Sequence, residues 1–209
     1  MSTASSNKNA KSRSTLEIRI HLIDGSTATF VQDDPEVAEK ILGGIHPVNL
    51  FSQRRIIIAG SYSVSAFIAA HVNKIDFVGA ECVDWPFAPG FSDIVEISEK
   101  RFREHARLDE PSKMEKRGKS EIAGDLFVAF LDIQMTNGSH VFLGLEGAID
   151  LPAERFTKLQ YLLSAPSLHI RLPKGGNALL NLGNVLRFTA FPGPPKTPSD
   201  AWPAHHKLG

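Results

Sequence analysis

A pair of adjacent arginines is the first feature of this sequence that could bind a ligand. Arg54 and Arg55 follow Ser52 and Gln53. A guanidinium group matches phosphate oxygens because it can donate two parallel hydrogen bonds. The pair therefore fits a phosphate-bearing ligand, although a solvated loop that leads into a strand explains the same residues more simply.

A glycine-rich turn is the second candidate for anion binding. Lys174, Gly175 and Gly176 lie between two predicted strands, and consecutive backbone N–H groups in such a turn can surround an anion. The segment lacks the Gly-Lys-Ser/Thr ending of a P-loop. A plain hairpin turn is therefore the simpler interpretation.

Basic residues also cluster in the segment 101–119, where they could extend a nucleotide or nucleic-acid site that includes Arg54 and Arg55. Acidic residues are almost as frequent in this segment, and they would weaken its attraction for phosphate. The alternative is a charge-balanced connector whose side chains are solvated.

Residues typical of metal sites and of hydrolytic enzymes lack a recognisable arrangement. None of the eight histidines has the i, i+4 spacing of a metal-binding helix on a convincing buried face. Cys82 is the only cysteine, which excludes an internal disulfide and a multi-cysteine metal site. The serine-rich segment 61–65 is not part of a Gly-x-Ser-x-Gly motif. We therefore predict no metal and no cofactor, and an enzyme with an unrecognised site is an alternative.

The elements that would position these residues follow one pattern twice. In residues 16–79, apolar residues alternate around a turn at Asp24-Gly25, a helix begins after Asp34, and further β-rich runs end near Ile75. In residues 125–191, a hairpin turns at Asn137-Gly138, and a helix and further strands follow it.

The sequence thus predicts an α+β fold of two similar ββαββ modules with mainly antiparallel, strongly bent sheets. Internal duplication would explain them, with Gly25 aligned on Gly138 and Ile75 aligned on Val185. The segment 80–124 is predicted to be an aromatic crossing, a charged helix and a mobile connector. Residues 1–15 are expected to be a disordered tail and residues 192–209 a proline-rich tail.

Each predicted module loosely resembles the small, strongly bent sheets of Sm-like and PilZ-type barrels. In PilZ domains an arginine pair precedes an Asp/Asn-x-Ser-x-x-Gly turn. Arg54 and Arg55 are present, but the segment 59–63 is not that turn. No family is therefore assigned from the sequence.

Composition gives little indication of the partner. The chain has 23 basic and 23 acidic residues, so no overall charge favours nucleic acid or a membrane surface. Neither a secretory signal nor an apolar run long enough to cross a bilayer is recognisable, and we expect a cytoplasmic protein. The sequence does not identify the activity. The leading hypothesis is a non-enzymatic module for protein interaction or self-assembly, because the apolar run 56–59 requires a neighbour.

Overall fold

The computed structural model describes residues 15–79, 84–107, 110, 113, 126–148, 154–193, 201–202 and 204. The predicted tails and most of the predicted connector lie outside the described residues. Eleven strands and three α-helices are present in the described part: β1 (Leu16–Leu22), β2 (Thr27–Gln32), α1 (Pro35–Gly43), β3 (Arg55–Ala59), β4 (Val64–Ile68), β5 (Val72–Val78), β6 (Asp93–Ile97), α2 (Glu99–Ala106), β7 (Leu126–Met135), β8 (His140–Ala148), α3 (Glu154–Ser164), β9 (Ser167–Arg171), β10 (Asn177–Asn181) and β11 (Val185–Phe191).

Nine of these strands form one large mixed sheet in the order β11-β7-β8-β6-β9-β10-β5-β1-β2. Their pairing is antiparallel except between β6 and β9. The prediction of two ββαββ modules with mainly antiparallel, strongly bent sheets is therefore wrong. Strand β10 pairs with β5, so main-chain hydrogen bonds join the two halves. One strand edge of each half is therefore paired in this joint.

The remaining strands, β3 and β4, form a separate two-stranded antiparallel sheet. A 3-10 helix at Pro47–Ser52 precedes the hairpin, and another at Ala69–His71 connects it to β5. A continuous apolar run such as 56–59 is typical of a strand buried on both faces, but in the structure it is not buried in this way. Its side chains alternate between the core and the surface.

Local sequence signals account for the first helix and the hairpin turns. The Asp34 carboxylate accepts hydrogen bonds from the backbone N–H groups of Glu36 and Val37, and Pro35 occupies the first turn, which confirms the predicted start of α1. Gly25 and Gly138 both have positive φ angles, as the two predicted hairpin turns require.

The two hairpins are alike beyond their turns. Gly25 and Gly138 are separated by 113 positions (138 less 25). Ile75 lies opposite Ile20 in β1, and Phe188, 113 positions after Ile75, lies opposite Ile133 in β7. The predicted alignment of Ile75 on Val185 was thus three residues out of register. The two halves share this local pattern, but their strands belong to one sheet.

Three groups of buried side chains stabilise the sheet. Leu159 and Leu162 of α3 pack in the largest group with residues of β6 to β10. Leu42 of α1 packs in a second group with β1, β5 and Trp85. Phe102 of α2 packs in a third group with Phe130 and neighbouring residues. Burial of such side chains contributes about 1.5–3 kcal/mol each. Each helix therefore stabilises the sheet through the apolar side chains that it buries.

Candidate functional site

The β3–β4 hairpin has an apolar surface that faces away from the core. Its outward side chains, which we call the outer hairpin face, belong to Arg55, Ile57, Ala59, Val64, Ala66 and Ile68. Ile57 is 56% exposed and Val64 is 69% exposed. Isolated exposed aliphatic residues are ordinary, whereas a contiguous apolar face on a narrow sheet is typical of an interaction site.

The inward side chains of the hairpin explain why it lies where it does. Ile56, Ile58 and Phe67 pack against the core group that contains Leu42, and the Phe67 ring meets the Phe30 ring edge-on at a centroid distance of 5.9 Å. These contacts fix the hairpin on the body of the protein, and its alternation then directs the other aliphatic side chains outward.

A second apolar surface lies along β11, which forms one edge of the large sheet. It is a groove of about 360 Å³. We call it the β11 groove, and its lining residues are Leu163, Leu182, Val185, Leu186, Arg187 and Phe188. Leu186 is 65% exposed and Phe188 is 43% exposed. The groove thus presents aliphatic and aromatic side chains beside a strand at the edge of the sheet.

Both apolar surfaces adjoin unpaired strand edges. Within the part of the chain that the structure describes, β11 pairs only with β7, and β4 pairs only with β3. An edge strand exposes a row of N–H and C=O groups that can pair with another chain. Apolar side chains and free backbone groups therefore occur together at both places.

A polar groove of about 450 Å³ lies between α2 and the β7–β8 hairpin. There the ring Nδ1 of His140 lies 2.6 Å from Asp132 Oδ1, and Arg103 Nε donates to Glu99 Oε1 at 2.9 Å. A carboxylate can orient a histidine for proton transfer. Asp132 is thus paired with His140, and Arg103 is paired with Glu99. Neither the Asp132 charge nor the Arg103 charge is left uncompensated for a ligand that enters the groove.

A partly buried charged network joins side chains of β1, β5 and β6. Lys74 Nζ lies 3.2 Å from Asp76 Oδ1 and 2.9 Å from Glu96 Oε2, and His21 Nε2 lies 2.9 Å from Asp76 Oδ2. Burial opposes ionisation of Asp76, but the His21 hydrogen bond and the Lys74 charge outweigh it and hold the pKa of Asp76 below its ordinary value. Each charged group of the network has an oppositely charged or polar partner, so we interpret the network as a structural feature.

His169 is a buried histidine in an aromatic setting. Its ring stacks on Phe87 at a centroid distance of 4.7 Å and meets Trp85 edge-on at 5.5 Å. Nε2 lies 3.1 Å from Asn177 Oδ1. Burial lowers the pKa of His169 below its ordinary value of 6.5, against the raising effect of the Asn177 contact. The neutral imidazole is therefore the favoured form, and it serves as a packing group.

The predicted phosphate-binding residues are not brought together. Arg54 precedes β3, and its carbonyl accepts a hydrogen bond from Ala69 N, just before the start of β5. Gly176 lies against the carbonyl of Phe77, near the end of β5. Since a strand rises about 3.3 Å per residue, roughly 17 Å of β5 separate the two regions. Arg55 lies on the outer hairpin face opposite Ile68.

The glycine turn is occupied by its own hairpin hydrogen bonds. Gly175 N donates to Leu172 O, and Leu172 N donates to Gly176 O. The Gly175 N–H group thus points into the turn rather than towards an external anion. Lys174 is exposed beside it. Anion binding at Lys174, Gly175 and Gly176 stays a prediction, and the turn accounts for both glycines.

Several of the basic residues in the predicted 101–119 cluster are paired with acids. Besides Arg103, which pairs with Glu99, both Arg107 and Lys113 lie within salt-bridge distance of Glu110. The rest of the cluster after residue 107 lies mostly outside the described residues. The described pairs favour the alternative of a charge-balanced segment.

Sequence reasoning pointed to the apolar run in β3 but missed the other strands of the two apolar surfaces. Val64 and Ile68 are separated by three residues of mixed polarity, and Leu186 and Phe188 flank an arginine. These patterns are compatible with either face of a strand. Only the placement of β4 and β11 at sheet edges distinguishes an exposed apolar residue from a buried one.

Comparisons with known proteins add no assignment: family models, curated proteins and solved structures each gave no match. In the described ranges, no helix combines the length and apolar character needed to cross a membrane. Among the same residues, no group of three or more histidine, cysteine, aspartate or glutamate side chains is arranged to hold a metal ion.

Proposed function

We propose that this protein is a non-enzymatic self-association module whose copies bind one another through the outer hairpin face and the β11 groove. The observation that carries the proposal is the coincidence of exposed apolar side chains with free strand edges at both places. Either feature alone is common on protein surfaces, whereas together they provide both contact area and backbone hydrogen bonds for a partner strand.

Charge and polar geometry support self-association over the phosphate-binding alternative. The chain has no net charge, and Arg54 and the Lys174 turn lie at opposite ends of β5. Phosphate ligands require several convergent donors. The apolar surfaces need only a complementary apolar partner, which each copy of the chain carries.

The proposal is tested by measuring the mass of the protein in solution with multi-angle light scattering. The wild-type protein should have a mass of at least twice the 22.9 kDa of one chain. Val64→Lys and Phe188→Lys should shift the mass towards that of the monomer, because each places a charge inside the contact, where desolvation disfavours it.

Val31→Lys is the matched control for Val64→Lys. Val31 is a valine in the edge strand β2 with 61% exposure, so both substitutions cost the same strand propensity. Val31→Lys should leave the mass unchanged. A monomeric wild-type protein would contradict the proposed function. Equal effects of Val31→Lys and Val64→Lys would show that the outer hairpin face is not the contact.

A further inference from the structure

The chain already contains one joint between its two halves, the antiparallel pairing of β5 with β10. Leu179 lies opposite Ile75, and Ala178 lies opposite Asp76. Ile75 is 2% exposed and Leu179 is fully buried. Apolar side chains and main-chain hydrogen bonds therefore both contribute to this joint, and it shows which surfaces of the two halves fit each other.

Each strand of the joint has a counterpart elsewhere in the chain at the same separation of 113 positions. The series β4, 3-10 helix Ala69–His71, β5 is repeated as β10, 3-10 helix Leu182–Asn184, β11, with equal lengths throughout. Strand β4 pairs with β3 as β10 pairs with β9. Strand β11 pairs with β7 as β5 pairs with β1.

The counterparts differ in one respect: β5 and β10 pair with each other, whereas β4 and β11 are free on the corresponding sides in the described part of the chain. Strand β4 thus corresponds to β10, but the strand that would correspond to its partner β5 is missing. In the same way β11 corresponds to β5, but the strand that would correspond to its partner β10 is missing. A second copy of the chain carries both of the strands that are missing.

We infer that β4 of one copy adds in antiparallel orientation to β11 of the next copy, in the register of the internal joint. Shifting the β10–β5 pairs by 113 positions gives the intermolecular pairs. They are Val64 with Ala190, Ser65 with Thr189, Ala66 with Phe188, and Phe67 with Arg187. This inference rests on the proposed function and specifies the contact through which it operates.

Side-chain chemistry at the free strands agrees with this pairing. Phe188 is the counterpart of the buried Ile75, and Val64 is the counterpart of Asn177, which is buried in the joint. Phe188 and Val64 are thus at least as apolar as their buried counterparts, whereas Ala66 is smaller than its buried counterpart Leu179. A strand that pairs with β11 would cover Phe188, and the β11 groove would receive side chains of the incoming hairpin.

The intermolecular contact should be weaker than the internal joint. Asn181 Nδ2 donates to Val72 O at 2.8 Å, and Asn184 Nδ2 donates to the same carbonyl at 3.1 Å. Ile68 and His71 stand at the corresponding positions near β4. Ile68 has no side-chain donor, so at least one of these hydrogen bonds is not reproduced. The assembly therefore should dissociate on dilution while each chain stays folded.

A contact between two different surfaces is head-to-tail. After two copies bind, one of them still has a free β11 and the other still has a free β4, so association continues until a ring closes or a filament grows. A two-fold symmetric dimer, in which β4 pairs with β4 or β11 with β11, is excluded by this arrangement.

Disulfide formation between separately labelled copies tests the register. In a Cys82→Ser background, a Ser65→Cys protein is mixed with a Thr189→Cys protein under mild oxidation. Directly opposed residues in an antiparallel pair lie within disulfide reach, whereas a diagonal neighbour two residues away does not. The matched off-register control mixes Ser65→Cys with Arg187→Cys.

The expected result is that the 65–189 mixture forms cross-linked dimers about tenfold faster than the 65–187 mixture, because only the first pair meets the geometry of a disulfide. A chain that carries both Ser65→Cys and Thr189→Cys should give covalent species larger than a dimer. Light scattering on the same reduced samples shows whether they associate.

The outcomes separate this inference from the proposed function. Associated protein in which 65–189 does not cross-link faster than 65–187 would overturn the register and leave self-association standing. Rapid cross-linking of Ser65→Cys with itself would overturn the head-to-tail contact. Samples that stay monomeric by light scattering and do not cross-link would overturn both.

Discussion

The joint between β5 and β10 depends on a glycine that no other residue can replace at low cost. Gly176 has a φ angle of +98°, and a Cβ atom added there would lie 2.3 Å from the carbonyl oxygen of Phe77. The adjacent Gly175 has a φ angle of +90°, but a Cβ atom there would meet nothing within 4 Å. The two glycines differ mainly in the close approach of β5.

Substitution of each glycine by alanine separates backbone strain from steric overlap. Gly175→Ala should lower the free energy of unfolding by about 1–2 kcal/mol, the cost of a left-handed conformation for a residue with a Cβ atom. Gly176→Ala carries that cost and a further 1–3 kcal/mol or so for overlap with backbone atoms that cannot rotate away.

Chemical denaturation monitored by circular dichroism measures both variants against the wild-type protein. The expected order of stability is wild type, then Gly175→Ala, then Gly176→Ala, with roughly 2–4 °C lost in Tm per kcal/mol for a chain of this size. If the two variants have the same free energy of unfolding within about 0.5 kcal/mol, the close contact between the turn and β5 is not present.

Three further predictions concern the interior. Asp76→Asn should lower the free energy of unfolding by roughly 1–3 kcal/mol because Lys74 then loses a buried carboxylate partner, measurable by urea denaturation at neutral pH. The depressed pKa of His169 means that the unfolded chain binds a proton more readily than the folded one, so the free energy of unfolding should fall as pH drops below 6.5. His169→Gln cannot titrate and should therefore flatten that part of the stability profile. Thermal melts between about pH 7.5 and 5.5 measure the difference. Leu162→Ala should lower the free energy of unfolding by about 2–5 kcal/mol by leaving a cavity, whereas Tyr161→Ala on the exposed side of the same helix should change it little.

Local features of the fold were predictable because they depend on neighbouring residues. The Asp34 cap and the turns at Gly25 and Gly138 follow from short-range conformational preferences and hydrogen bonds. The same is true of the period-two alternation in β1 and β7, which the structure pairs as predicted with their hairpin partners.

The arrangement of the strands in one sheet was not predictable from the same signals. Strand β10 has the sequence Asn-Ala-Leu-Leu-Asn, which does not indicate that both of its edges are paired. The parallel contact of β6 with β9 joins residues far apart in sequence. Such long-range pairings depend on the complementarity of whole faces, whereas a sequence pattern reports the alternation of a single strand.

The candidate surfaces were predictable only in part, for the same reason. The apolar run in β3 indicated a strand in need of a neighbour, and Ile57 is exposed on the outer hairpin face. The partner surface on β11 gave no comparable signal, since Leu186 and Phe188 would suit a buried strand equally well. Arg54 and Arg55 were candidates by residue type alone, and the structure places the Lys174 turn at the other end of β5 from Arg54.

The central claim, that another copy of the chain covers the free edges of β4 and β11, is tested most directly by hydrogen exchange on the wild-type protein. Exchange is followed at high and at low protein concentration, and the edge strand β2 serves as the internal reference. Amides of β4 and β11 should exchange more slowly in the concentrated sample, because a partner strand then accepts their hydrogen bonds, while those of β2 should be unchanged. Equal exchange in β4 and β11 at the two concentrations, in a sample shown by its mass to be monomeric throughout, would contradict the account.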